Sequence, residues 1–126
     1  MNDYMLRVLN RGDHQKEWTP DRHTEFVRKC EVYIKRLQQA GKLHAAQPLA
    51  KQGAIIAGGG EEWKVEPLNV QTEIQTGYYH IRAESLQDAI EIAKGNPEFE
   101  YSTTARVEVR PLKAEESATG FKYPTR

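Results

Sequence analysis

His80 and Arg82 alternate in the stretch GYYHIRAES, residues 77–85. On a strand that spacing puts both side chains on one face, an imidazole that titrates near neutral pH beside a permanent cation. Such a pair can hold an anion and move a proton to or from it. His44, in KLHAAQPLA, and Arg7, in DYMLRVL, are a second histidine and a second arginine in strand-like surroundings. Glu66 could orient one of the histidines, Tyr78 could stack on a ligand, and Glu108 could balance a guanidinium. His44 and His80 are therefore the candidate acid-base residues, and Arg7, Arg82, Tyr78, Glu66 and Glu108 the candidate ligand-binding residues.

The same residues fit plainer arrangements. Arg7, Arg82 and Glu108 can form cross-strand charge pairs on an open, wet sheet, each worth only ~0.2–1 kcal/mol. His44 and His80 can be hydrogen-bonded interface histidines. Tyr78, Trp63 and Trp18 can stack on an aromatic ligand or pack at a subunit seam, where aromatics are common.

Other chemistry is less well supported. His14, His23, His44 and His80 show no close ligand spacing, and Cys30, the single cysteine, cannot build a zinc site, so no metal is expected. Asp13 and His14 lie in a polar loop and read as solvated. Cys30 falls on an apolar helix face with no cation in the pattern, which suits an inert thiol. Gly58-Gly59-Gly60 has no following Lys-Ser or Lys-Thr and opens no helix, so it reads as a hairpin turn rather than a phosphate loop. No redox cofactor is implied.

The elements that must position these groups can be read along the chain. Residues 3–9 form a first strand, and 10–18 a polar loop. Thr19 caps a helix with Pro20 at its first position. Phe26, Val27, Cys30, Tyr33, Ile34 and Leu37 mark its buried face, and Gly41 ends it. KLHAAQPLA is a short second strand. Residues 53–68 are a hairpin with arms at 54–57 and 63–65. TEIQTGYYHIRA is the next strand. Ser85, with Asp88 three residues on, starts a second helix whose apolar face is Leu86, Ala89, Ile90 and Ala93. Gly95, Asn96 and Pro97 stop it. ARVEVRPL, residues 105–112, is a last strand, and 114–126 a polar tail, mobile unless it docks on a partner subunit. The order is a doubled β-α-β pattern with helices on one face of a mainly antiparallel sheet, a ferredoxin-like α+β arrangement.

Two helices cover one side of such a sheet. Tyr4, Leu6, Val8, Tyr79, Ile81, Ala83, Val107 and Val109 should face them. The opposite alternates are Met5, Arg7, Leu9, Tyr78, His80, Arg82, Arg106, Glu108 and Arg110, a mixture of large apolar and charged groups. A face of that kind suits coverage by a second subunit around a polar cavity. On the same alternation Leu43 and Ala45 face the helices, which leaves His44 on the far face.

Bulk composition sets bounds. With 126 residues, 29% charged and 38% hydrophobic, the chain fits one soluble domain large enough to bury a core. Lys plus Arg and Asp plus Glu are 18 each, which argues against nucleic-acid binding through a basic surplus. No stretch approaches the roughly 20 apolar residues of a membrane span, and MNDYMLRVLNR has no signal-like apolar core. With a lone cysteine, these features suit a cytoplasmic protein.

The stretch GYYHIRAESLQDAIEIAKGNPEFEYSTTARVEVRPLK, preceded by AGKL at 40–43 and QPL at 47–49, closely resembles the YCII-related family over about residues 3–113. The resemblance implies a ferredoxin-like fold with an inserted hairpin, whose sheets pack face to face as a dimeric α+β barrel, with residues 1–113 as the domain and 114–126 as its tail. Arg7 would then approach Arg82, and an anionic ligand would balance them. Many relatives carry Asp-Gly-Pro-Phe where this chain has Val65-Glu66-Pro67-Leu68. The His and Asp proposed as a catalytic pair in shorter relatives correspond to Cys30 and Gln39, so that pair is absent. The expectation is a homodimer binding a small anionic or aromatic molecule at the sheet face. Lyase or isomerase chemistry through His80 or His44 is one form of it. A non-catalytic dimeric interaction or regulatory module is the alternative.

Overall fold

The structure, a computed structural model, describes residues 1–124. In chain order the elements are β1 (Asn2–Arg11), α1 (Pro20–Gln39), β2 (Leu43–Pro48), β3 (Ala54–Gly59), β4 (Glu62–Pro67), β5 (Glu73–Ala83), α2 (Leu86–Lys94), α3 (Glu98–Tyr101) and β6 (Arg106–Pro111). Four strands form one antiparallel sheet in the order β2-β5-β1-β6, and β3 and β4 form a separate two-stranded sheet. This is the ferredoxin-like α+β arrangement with a hairpin inserted between its second and third core strands.

Local chemistry sets the helix limits. The Thr19 hydroxyl accepts from the Arg22 amide at 3.2 Å, and Pro20 occupies the first helical turn, where its missing N–H costs nothing. The helix closes as Gly41 takes φ +69°, which lets the Lys42 amide reach back to the Leu37 carbonyl at 2.9 Å. Ser85 accepts from the Asp88 amide at the start of α2, while the Asp88 carboxylate reaches back to the Glu84 amide. The buried face of α2 is displaced from the expected one. Ala89 and Ala93 are buried and Ile92 packs on the core, but Leu86 is exposed. The four-residue α3 was not expected, because Pro97 reads as a stop and its next turn is too short to show a period.

The core lies between the sheet and the helices. Tyr4, Leu6, Val8, Tyr79, Ile81, Ala83, Leu37, Ala89 and Ala93 are buried there, with Tyr33, Ile34, Val107 and Val109 packed against them. These are the sheet residues that alternation assigned to the helix side. Asn10 is fully buried and tied on all sides. Its amide nitrogen donates to Thr76 and Glu98, and its carbonyl oxygen accepts from Ser102 and Thr104. It thereby locks α3 and the following loop onto the central strands. Among the described residues no helix is long and apolar enough to cross a membrane.

Candidate functional site

Asp3, His80 and His44 stand on three adjacent strands, β1, β5 and β2, one residue from each. The register of β1 with β5 pairs Asp3 with Arg82 and Met5 with His80, so all four side chains belong to the far face of the sheet, away from the helices. His44 arrives there by a β-bulge. Leu43 pairs with Ile81 and Ala45 with His80, which leaves His44 as the extra residue of β2. Ala45, expected to face the helices, therefore shares the face of His80, and Ala46 packs on the core instead.

The three groups converge. The Asp3 Oδ1 atom lies 3.1 Å from His44 Nε2 and 3.4 Å from His80 Nε2. The two imidazole rings are tilted by 38° with centroids 4.5 Å apart. Arg82 Nε is 4.0 Å from the same carboxylate oxygen. The His80 side chain is only 12% exposed. Despite these distances, Asp3 Oδ1 and His80 Nε2 are buried without a hydrogen-bond partner among the described residues. The cluster borders an open cleft of about 620 Å³ lined by Asp3, Met5, His80, Leu112, Lys113 and Tyr123 among others. The tail forms one wall. It closes on itself through a Glu115–Lys122 bridge and a Tyr123–Glu116 hydrogen bond, and the Leu112 amide donates to the Asp3 carbonyl. Residues 125 and 126 of that tail lie outside the described residues.

Arg7 does not approach Arg82. The register sets Arg7 opposite Tyr78, four residues from Arg82 and so about 13 Å along β5. Arg7 pairs instead with Glu108 at 3.3 Å and donates to Gln75 at 3.0 Å. The expected arginine pair is thus two separate sites, with Arg82 beside Asp3 and Arg7 beside Glu108 and half-buried Tyr78. Glu66 is not brought to either histidine. It sits on the detached hairpin, 3.0 Å from Lys64. The carboxylate that serves the histidines is Asp3. The alternation of DYMLRVL put it on the far face with Met5 and Arg7, a signal that was present but masked by its place at the strand's start.

The helix side holds a second cavity of about 390 Å³, lined by Val8, Phe26, Cys30, Ile34, Tyr79, His14 and Glu98 among others. The His14 side chain, read as solvated, is in fact only 5% exposed. Its Nδ1 contacts the Arg11 carbonyl at 2.9 Å, and its Nε2 lies 3.8 Å from Glu98. Burial lowers the pKa of His14 below its usual value and raises that of Glu98. Burial also pushes the Cys30 thiol up to about 12, so it is an inert thiol at neutral pH. Trp18 is a packing residue, edge-on to Phe26 with centroids 5.2 Å apart, whereas Trp63 stands exposed on the hairpin.

The fold and the open sheet face define a ferredoxin-like α+β domain with a polar cluster on the side its helices leave bare. The chain belongs to the YCII-related domain family, whose family model matches residues 4–113. No curated protein matches it.

Proposed function

We propose that the chain acts as a cytoplasmic homodimer that binds a small anionic or aromatic molecule at the far face of its four-stranded sheet. The observation that carries this reading is the convergence of His44, His80 and Arg82 on the Asp3 carboxylate, which with His80 lines a cleft. Three potential cations around a single carboxylate leave room for a second negative group. Half-buried Met5 and Tyr78 on the same face supply apolar surface for a ring or for a partner subunit. When an anion is bound, either imidazole is placed to give or take a proton, the requirement of lyase or isomerase chemistry.

The test is a thermal-shift screen against small carboxylates, phenolic acids and phosphates, run on the native chain and on Arg82→Ala. A ligand at one hundred times its dissociation constant stabilises by ~2.7 kcal/mol, several degrees for a domain of this size. A stabilising anion whose effect is lost in Arg82→Ala is the expected result. No stabilisation by any of them overturns the reading.

A second reading, a non-catalytic interaction module, is favoured by the hairpin. Ile55, Ile56, Trp63 and Val65 are all more than half exposed on two strands that pair with no other strand among the described residues. An exposed apolar patch on a hairpin, away from the cleft, suits protein contact.

A further inference from the structure

We propose that Asp3, His44 and His80 form a site for a divalent transition metal of the zinc type. The inference rests on and deepens the anion-binding reading: it names what would hold the anion, and with both Nε2 atoms on a metal it replaces imidazole proton transfer at this site. Asp3 Oδ1 and the two Nε2 atoms all lie within 4.8 Å of one another. Two ligand atoms each ~2.0–2.1 Å from zinc, at a tetrahedral angle, are about 3.3 Å apart. The carboxylate oxygen lies 3.1 and 3.4 Å from the two nitrogens, which is that spacing.

The alternative explanation of such short distances is direct hydrogen bonding, and the orientation argues against it. The Asp3 oxygen and the His80 nitrogen are buried and 3.4 Å apart, yet neither has a hydrogen-bond partner among the described residues. Leaving such buried polar atoms unpaired is destabilising. A cation shared by the three atoms removes that cost without requiring any N–H to point at the oxygen.

The donor set selects the ion. Two imidazoles and one carboxylate suit zinc and its neighbours, whereas calcium and magnesium take oxygen ligands almost exclusively. Three protein ligands leave a coordination position open, as catalytic zinc sites do. A divalent ion against one carboxylate keeps a net positive charge, and Arg82, 4.0 Å from Asp3, adds to it. The open position therefore faces an anion. All three ligands stand on sheet strands, two of them central, so the site needs no loop closure to form.

The experiment uses the full chain stripped with a chelator and then titrated with zinc by calorimetry and with cobalt by visible absorption. The expected result is one ion per chain and cobalt bands of low-coordinate type. Asp3→Asn, His44→Ala and His80→Ala should each weaken binding by at least about 100-fold, since even supporting residues around a metal contribute 10–100-fold. His23→Ala, outside the cluster, should leave binding unchanged. Asp3→Asn keeps the shape of the side chain, and its unaltered melting without metal separates lost ligation from lost folding. No binding, or binding unaffected by the three variants, overturns the proposal. Repeating the anion screen with and without zinc separates the two readings. An anion held equally well by stripped protein leaves the anion site and overturns the metal's part in holding the anion, while the zinc titration decides the metal itself. Zinc bound through the three residues with no anion captured supports the metal and overturns the anion site.

Discussion

His44 lies against His80 across the β2–β5 pair, ring over tilted ring at 4.5 Å, because one extra residue in β2 takes His44 out of the ladder. In a regular ladder, neighbours on one face are set by register alone. The bulge instead gives one face both Ala45, directly opposite His80, and His44 beside it. Removing His44 by a one-residue deletion should restore a regular strand and abolish zinc and anion binding alike. Ala45→Ser, which keeps the bulge, should leave both intact in the same titrations.

The two arginines should behave differently on substitution. Arg7 forms a half-exposed pair with Glu108, so Arg7→Ala should shift the urea midpoint by the equivalent of only about 1 kcal/mol and leave anion stabilisation in place. Arg82→Ala should remove anion stabilisation. Equal effects of the two variants on ligand binding would return Arg7 to the site.

Asn10 should be among the costliest polar positions. Asn10→Ala strips partners from Thr76, Glu98, Ser102 and Thr104 at once. Each buried group left unpaired costs ~1–3 kcal/mol, so a total loss of at least about 2 kcal/mol is expected in equilibrium unfolding. A smaller loss would mean that water replaces the network.

His14 and Glu98 should give opposite pH dependences. The pKa of Glu98 is raised in the folded chain, so its contribution is fully present below the ordinary value of 4.5 and is lost as pH rises through the folded value. Glu98→Gln should therefore gain on the native chain as pH rises from 4. The pKa of His14 is lowered, so its contribution is present above the ordinary value of 6.5 and is lost as pH falls toward the folded value. His14→Asn should gain on the native chain as pH falls below 6.5. Thermal midpoints across pH for the three proteins check both signs.

Cys30 should resist thiol reagents. With its pKa near 12, the thiolate fraction at pH 8 is far below that of a free cysteine at about 8.5, so labelling should be slowed at least about a hundredfold in the folded chain. Labelling at the denatured rate would show that α1 opens readily around it.

Much of this was legible in the sequence. Alternation in DYMLRVL and GYYHIRA assigned Tyr4, Leu6, Val8, Tyr79, Ile81 and Ala83 to the helix side correctly, because a sheet covered by helices on one side separates apolar from mixed positions with period two; Leu9, grouped with the far-face residues, is buried as well, just past a register shift in β1. Register was not legible. Arg7 and Arg82 share a face, but only the pairing of β1 with β5 shows that Asp3, not Arg7, stands opposite Arg82. Chain spacing also hid the cluster. Asp3, His44 and His80 are far apart in sequence, and a spacing rule for metal ligands finds sites built on one loop or helix, not across three strands. His14 was misplaced for another reason. A polar loop reads as solvated, yet this one folds under Trp18 and against Glu98.

The central strand β1 has β5 on one side and β6 on the other, and β5 follows it by about half the chain and β6 by about three quarters. During synthesis β1 therefore emerges long before either neighbour, with both its backbone edges open and its apolar side chains bare. Its sheet cannot close until Arg106–Pro111 has left the ribosome. Pairing that spans so much sequence is slow and leaves the early chain prone to aggregation. A nascent chain stalled before residue 106 should depend on chaperones far more than one stalled after it.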